Sequence, residues 1–257
     1  YRKKINKNKI DFSYWEPTND LQVRIDAHKK YSIFSLEEYI NDRYKFNNCR
    51  VLDIGCGNGN FSGNLSLNAN LYIGTDKNKK SLQEARSKYK HNDSIFFIEQ
   101  SMDCDLFLPN DTFDYIFFLY SIYYSNDSEQ LINRCFDALK INGKLIIIGP
   151  SINNAWEVDD FCYKLFKREG ASSERVNRIN DEFIPILNKF NFTVIAERVS
   201  FDVKFPSADE YLKYIMATLQ YRDSYSGDLN IEEAKKLLSD EYSLLLHKQS
   251  VVVCATK

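Results

Sequence analysis

The sequence predicts an α/β fold: a doubly wound, mostly parallel seven-stranded sheet with helical lid elements. Short apolar segments of strand character alternate five times with amphipathic segments of helical spacing, which is the pattern of a parallel sheet covered on both faces. A glycine-rich loop follows the first strand, at the place where such sheets bind ligands. Two further strand-like segments near the end of the chain complete the seven.

Hydrophobic periodicity and turn residues place the elements in chain order. Two helices are expected within residues 11–46, ahead of the first strand. The predicted strands are 50–54, 71–74, 95–99, 113–119, 145–149, 192–205 and 250–256. The predicted helices after the glycine loop are 60–67, 81–90, 127–139, 156–168, 174–189, 207–221 and 231–246. Segment 113–119 is almost wholly apolar, which is typical of a strand buried on both faces.

This order predicts a single domain over residues 1–257. Residues 1–48 form an N-terminal helical cap, residues 49–205 form the core with the ligand site, and residues 206–247 form a helical insertion before the last strand. Because the cap and the insertion can both cover the strand ends, we expect a lid over a small, enclosed substrate.

The composition is that of an ordinary globular protein. The chain carries 34 basic and 36 acidic side chains, and 44% of its residues are hydrophobic, so bulk charge does not favour nucleic acid or an anionic membrane. No apolar run approaches the ~18 residues of a membrane span, and no apolar signal segment opens the sequence. The six cysteines show no metal-ligand spacing. We therefore expect a cytoplasmic protein with reduced thiols and no metal, nucleic-acid or membrane partner.

The loop VLDIGCGNG has glycine at every second position, at Gly55, Gly57 and Gly59. Glycine there permits a tight turn and the close approach of a ligand. The dinucleotide fingerprint G-x-G-x-x-G would place its third glycine at Asn60. The spacing found here therefore disfavours a pyrophosphate seated on the following helix.

Two carboxylates flank this loop. Asp53 precedes it on the strand and suits a cationic ligand. Asp76, at the tip of the second strand, can accept hydrogen bonds from both hydroxyls of a ribose. An adenosine compound with a positive charge fits these features better than NAD, which remains an alternative.

The motifs resemble, in order, those of class I S-adenosylmethionine-dependent methyltransferases. VLDIGCGNG is similar to their first motif, YIGTD to the second, FDYIFFLYSIYY to the fourth-strand segment and LKINGKLIIIG to the turn into the fifth strand. The long strand after residue 192 and the final SVVVCAT also resemble the last two strands of the family. The resemblance implies a Rossmann-like methyltransferase fold, with S-adenosyl-L-methionine as cofactor and S-adenosyl-L-homocysteine as product.

The resemblance also implies a set of cofactor contacts. The glycine loop would line the methionine part, Asp53 would hold the ammonium side, Asp76 would bind the ribose and Lys77 would flank the adenine. Leu119, at the end of the fourth strand, would sit under the sulfonium. The implied positions are Asp53, Gly55, Cys56, Gly57, Gly59, Asp76, Lys77, Ser101, Met102 and Leu119.

The end of the third strand departs from the family. The family often has an acid there, whereas this chain has Gln100-Ser101-Met102. Ser101 can bond a ring amine and Met102 can pack on the ring. Asp103 is a candidate substitute for the missing acid.

Candidates for the chemistry are fewer. Tyr123 and Tyr124 match positions where many small-molecule members carry a histidine; Tyr124 either orients the acceptor or simply packs. His28, on an N-terminal helix, is a candidate base or substrate contact, with a helix-surface role as the alternative. Arg24, one turn earlier, can pair with a carboxylate of cofactor or substrate, or remain a solvated side chain. Tyr14 can close over the cofactor, or anchor the helix by packing.

We expect methyl transfer to oxygen of a small polar metabolite, such as a sugar or related precursor. Transfer to nitrogen of a small amine stays open, because an oxygen nucleophile needs a base and no sure base is visible. Two alternatives belong to other classes: a non-catalytic, cofactor-binding partner of another subunit, and an NAD-dependent oxidoreductase. The expected partner is a small-molecule substrate, and the protein is a monomer or a homodimer.

Overall fold

The centre of the fold is one mixed sheet of seven strands. A computed structural model describes residues 18–103, 108–167, 177–224 and 229–257. The strands are β1 (Arg50–Ile54), β2 (Leu71–Asp76), β3 (Ile95–Glu99), β4 (Phe113–Leu119), β5 (Leu139–Pro150), β6 (Thr193–Lys204) and β7 (Leu245–Thr256). They lie in the order β3-β2-β1-β4-β5-β7-β6, and only β7 runs antiparallel to its neighbours. The predicted doubly wound, mostly parallel sheet is confirmed.

Helices cover both faces of the sheet. They are α1 (Thr18–Tyr31), α2 (Leu36–Arg43), α3 (Ser62–Leu65), α4 (Lys79–Lys88), α5 (Ser128–Ala138), α6 (Trp156–Phe166), α7 (Ile184–Lys189), α8 (Ala208–Met216), α9 (Leu219–Ser224) and α10 (Ile231–Glu241). Side chains cap the N-termini of five of them, at Ser35, Asn78, Asp127, Ser207 and Asn230. Among the described helices, none has the length and apolar character needed to span a membrane.

The central strand β4 supplies both faces of the core. Ile116 and Phe118 pack in the cluster on the α5 face, while Phe117 and Leu119 pack in the cluster on the α2 and α4 face. This alternation follows from the two-residue repeat of a strand. It explains why an almost wholly apolar segment occupies this position.

Strands β6 and β7 continue beyond the rest of the sheet. The pairing of β5 with β7 ends at Pro150 and Ser250, whereas that of β6 with β7 continues to Lys204 and Leu245. We call residues 200–204 and 245–249 the β6–β7 arm. A separate apolar cluster joins this arm to α1, α6, α8 and α10.

The structure corrects two element boundaries beside the arm. The last helix ends at Glu241 and β7 begins at Leu245, so the helical segment before the last strand stops short of the expected residue 247. Ser243 and Leu244 have φ values of 49° and 54°, which end the helix. The helix predicted at 207–221 is divided at Thr218, whose hydroxyl donates to the Ile215 carbonyl and accepts from the Tyr221 amide.

The helix expected after the glycine loop is also shorter than predicted. It is the single turn α3 rather than residues 60–67, and a turn follows at once, with Asn68 at a φ of 61°. The loop therefore enters only a short helix before the chain returns to β2.

Candidate functional site

A cavity of about 1160 Å³ opens at the carboxyl ends of the parallel strands. Its floor runs from the glycine loop past the ends of β2, β3, β4 and β5 to the β6–β7 arm, and α1 and α9 contribute to its roof. β1 lies between β2 and β4, where the strand order reverses. Doubly wound sheets bind ligands at this reversal, because the connections on either side diverge and leave a crevice.

The glycine loop meets the cavity through backbone rather than side chains. Gly55 has a φ of 81°, and a Cβ at this position would collide with Cβ of Ser121 and lie 2.9 Å from its Oγ. Gly57 has a φ of 56° and no atom within 4 Å of an added Cβ, so the space beside it is open. Gly55 is therefore needed because Ser121 packs against it, whereas Gly57 leaves open space beside the loop.

Gly59 differs from the expectation. It is absent from the cavity wall, and its α-carbon faces Ala85, Ser62 and Tyr89 on the helix side. The Tyr89 hydroxyl donates to the Gly59 carbonyl at 3.0 Å. The third glycine of the motif therefore packs the loop against α4 and does not line the cavity.

Asp53 is a buried carboxylate at the cavity wall. Its side chain is 2% exposed, and Oδ2 accepts a hydrogen bond of 2.8 Å from Tyr72, which also contacts Ser62. Oδ1 is buried without a hydrogen-bond partner among the described residues. Burial raises the pKa of Asp53 to about 7; the Tyr72 hydrogen bond acts against this shift and Asp76 adds to it. An orphaned buried oxygen with a raised pKa fits a cationic ligand group, which would satisfy it and favour its charged form.

Asp76 links the tip of β2 to the glycine loop. Its Oδ2 accepts from the Gly57 amide at 2.9 Å, and its Oδ1 accepts from the Asn78 amide at 2.7 Å. A carboxylate has about four lone-pair positions, so capacity remains for ligand hydroxyls. Asp76 and the adjacent Lys77 both line the cavity, as do Cys56 and Gly57.

The segment after β3 reaches the cavity through Ser101 and Met102. Asp103 also lines it, but its carboxylate accepts from the Ser125 hydroxyl and from two nitrogens of Asn126. Asp103 therefore orients the turn before α5. This placement weakens its candidacy as a substitute for the missing acid.

Beyond β4 the chain turns sharply into the cavity. Leu119 lines it, and Tyr120 follows with a φ of 55°, a conformation that costs a bulky residue energy. The Tyr120 hydroxyl bonds to Ser250 on β7 at 2.8 Å. Tyr124 also lines the cavity, with its ring 4.8 Å from that of Tyr123. The fold thus brings Leu119 and Tyr124 into one wall, and Tyr120 is a wall residue that the sequence motifs did not single out.

The far end of the cavity lies between α1 and the β6–β7 arm. His28 packs edge-on against Phe201 and Tyr214, with both ring-centroid distances at 5.9 Å. Burial, together with the positive charges of Lys248 and Arg24, lowers the pKa of His28 to about 3. His28 is therefore neutral at physiological pH and a weak base, contrary to the role of general base considered from sequence.

Two acids of α6, Asp159 and Asp160, complete this end. Partial burial acts to raise the pKa of Asp160, but hydrogen bonds from Lys164 and Tyr242 outweigh it and lower that pKa.

Arg24 lines the cavity too, whereas Tyr14 lies outside the described residues. Within those residues there is no group of three or more metal-ligating side chains.

Comparison with known proteins agrees with this geometry. The family described as "Methyltransferase domain" matches residues 45–191. A curated relative, the uncharacterized protein MJ0906 of Methanocaldococcus jannaschii, is 24% identical over 159 residues, which are 61% of this chain and 41% of that protein. The chain thus spans about two fifths of the length of this relative.

Solved structures share the fold. The methyltransferase chain in complex with the Trm112 methyltransferase activator of Haloferax volcanii superposes with a TM-score of 0.57, at 16% identity and 93% coverage of both chains. A Haemonchus contortus phosphoethanolamine N-methyltransferase, in complex with phosphomonomethylethanolamine and S-adenosylhomocysteine, gives 0.53, at 16% identity, over 85% of this chain and 51% of that one. The family match removes the ground for the NAD-dependent alternative. The chain therefore belongs to the methyltransferase-domain family and has the fold of the class I S-adenosylmethionine-dependent methyltransferases.

Proposed function

We propose that the protein transfers the methyl group of S-adenosylmethionine to an oxygen atom of a small polar metabolite. The observation that supports a small acceptor beside the cofactor is the size of the cavity. Its volume of about 1160 Å³ exceeds the roughly 300–1,000 Å³ of a pocket for one small ligand. A cofactor and a small acceptor therefore fit together under α1 and α9.

The cofactor part of the proposal assigns the glycine-loop end. Bound S-adenosylmethionine supplies the methyl group, on a positively charged sulfur. Asp53 would hold the ammonium through the oxygen that has no partner within the described chain. Asp76 would accept from the ribose, and Lys77, Ser101 and Met102 would border the adenine.

The acceptor part assigns the wall beyond Leu119. Alignment and exclusion of water supply much of the rate of a methyl transfer, and Tyr124, which lines the cavity, would orient an acceptor. An alcohol also needs a proton acceptor. Because the pKa of His28 is about 3, the carboxylate of Asp159 is the better candidate for that task.

Transfer to an amine is the second candidate, and the same pKa favours it. A neutral amine needs no base, and the α6 carboxylates in the cavity wall suit a nitrogen that becomes positively charged as it accepts the methyl group. The Haemonchus contortus neighbour is an N-methyltransferase. The atom that receives the methyl group decides between the two candidates.

The test is a screen of sugars, hydroxy acids and amines with methyl-labelled S-adenosylmethionine. Mass spectrometry detects the product, and NMR identifies the methylated atom. We expect Tyr124→Phe to lower turnover about tenfold, with S-adenosylhomocysteine affinity within about twofold of wild type. Tyr115→Phe, at the opposite end of β4, is the control.

Label found on nitrogen would replace the first candidate with the second. Unchanged turnover in Tyr124→Phe would make this residue a packing residue. Tight cofactor binding without turnover of any small molecule would support a non-catalytic partner subunit instead.

A further inference from the structure

We infer that the acceptor carries an anionic group, a carboxylate or a phosphoryl group, and that Lys248 and Tyr214 bind it at the arm end of the cavity. His28 and Arg24 border the same site. This inference deepens the proposed function and rests on it, because it describes the acceptor of the same reaction.

The backbone of the arm aims Lys248 at the cavity. Lys248 pairs with Phe201 across the antiparallel ladder and shares a face of β7 with Ser250, two residues on. Ser250 bonds to Tyr120 in the cavity wall. The face that carries Lys248 is therefore the face that meets the cavity, and Lys248 and Tyr214 both line it.

Three polar groups converge at this point. The Lys248 ammonium donates to the Tyr214 hydroxyl at 3.2 Å, and that oxygen lies 3.5 Å from Nε2 of His28. The ammonium has two further protons, and a neutral imidazole can donate one. Together they form a donor set on one wall, beside the Phe201 ring that packs edge-on against His28.

Lys248 is a cation of this wall that is not part of a described ion pair. Lys248 is half-buried, and among the described residues its ammonium makes no ion pair with a carboxylate. Lys248 and Arg24 both contribute positive potential at His28. Partly buried cations are costly unless paired, and a carboxylate or phosphoryl oxygen would supply the missing charge through short, charge-assisted hydrogen bonds.

The carboxylate of the cofactor is the other possible source of an anion. It would lie near the glycine loop after β1, and β4 and β5 separate β1 from β7. At roughly 4.8 Å per strand, these positions differ by about 14 Å along the sheet. Lys248 thus lies on the acceptor side of Leu119 and Tyr120, which favours an anion carried by the acceptor.

The experiment titrates the protein, saturated with S-adenosylhomocysteine, with inorganic phosphate and separately with acetate, at constant ionic strength with chloride. Chemical-shift changes in ¹⁵N-labelled protein report millimolar binding. We expect saturable shifts at the arm with one of the two anions, and the tighter anion identifies the group. Lys248→Met should weaken this binding at least tenfold, while S-adenosylhomocysteine affinity stays within twofold.

Two further variants keep the result interpretable. Lys248→Arg keeps the charge and should bind within about threefold of wild type, and Lys204→Met, an exposed lysine of the same arm, should bind as wild type. Absence of binding by both anions would overturn the inference. Equal losses of anion and S-adenosylhomocysteine affinity in Lys248→Met would also overturn it, because Lys248 would then serve the cofactor. Failure of the wild type to bind S-adenosylhomocysteine, seen before any anion is added, would instead overturn the proposed function.

Discussion

The two ends of the cavity are built in opposite ways. At the glycine-loop end, backbone groups and two carboxylates form the wall, and burial raises the pKa of Asp53 to about 7. At the arm end, side chains of α1, α8 and β7 form it, and burial together with two cations lowers the pKa of His28 to about 3. The glycine-loop end therefore favours positive charge in a ligand, whereas the wall formed by Lys248, Tyr214 and His28 at the arm end favours negative charge. The difference teaches that a single cavity can orient a ligand pair by polarity as well as by shape.

The largest expected effect tests whether the glycine-loop end of the cavity depends on backbone positions without side chains. Gly55→Ala should lower the free energy of unfolding by about 2–4 kcal/mol, because its Cβ collides with Ser121 at a positive φ. Gly57→Ala has the same unfavourable φ but open space, so we expect a loss of only about 1 kcal/mol. Urea denaturation measures both.

The same pair separates folding from binding. Gly57→Ala fills space beside the loop, so it should fold and yet bind S-adenosylhomocysteine at least tenfold more weakly. If it binds as wild type, the ligand does not approach this backbone closely. If Gly55→Ala is as stable as Gly57→Ala, the contact between residue 55 and Ser121 does not determine the stability of the loop.

A smaller effect concerns the charge at the first end. The pKa of Asp53 is raised from 3.8 to about 7 in the folded protein, so the folded state binds the proton more tightly than the unfolded state. The free energy of unfolding therefore falls as pH rises from about 4 to 7. Asp53→Asn lacks this loss and should gain about 1–2 kcal/mol over wild type at pH 8, while S-adenosylhomocysteine binding weakens at least tenfold.

Denaturation at pH 5 and pH 8 is the check. The gain of Asp53→Asn should shrink at pH 5, where the wild-type carboxyl is mostly protonated. A gain of equal size at both pH values would show that the pKa of Asp53 is not raised.

The smallest effect is expected at the second end. Because the pKa of His28 is about 3, its ring ¹⁵N shifts should stay flat between pH 5 and pH 8. The signal is assigned by its loss in His28→Gln. A titration midpoint between pH 6 and pH 7 would show that burial and the neighbouring cations do not lower the pKa of His28. It would also weaken the contrast between the two ends of the cavity.

Much of the fold was predictable because strand and helix segments alternate and turn residues separate them. The order of the strands in the sheet does not follow from alternation, and it was not predicted. The start of β7 was predicted wrongly because Leu244, Leu245 and Leu246 continue the spacing of the preceding helix. Pairing with β6 decides that segment, and pairing between distant segments leaves no local signal.

The two ends of the cavity also differ in how well the sequence reveals them. The residues of the glycine-loop end lie in one contiguous motif and at the tip of one strand, so Asp53 and Asp76 could be singled out from the sequence. Tyr120 and Lys248 reach the cavity through a backbone turn and through the extension of two strands. Gly59 matches the motif but faces α4. A sequence motif predicts the loop, and it does not predict which of its residues face the cavity.

The β6–β7 arm has a consequence for how such an enzyme diverges. Beyond the end of β5 its two strands pair with each other, and Val203 forms one further bridge with Ser32, so changes at Phe201 or Lys248 leave the ladders of β1 to β4 intact. If the arm binds the acceptor, as we infer, mutations there would change the acceptor and leave the glycine-loop residues unchanged. A lineage would then exchange one acceptor for another and keep the same methyl donor.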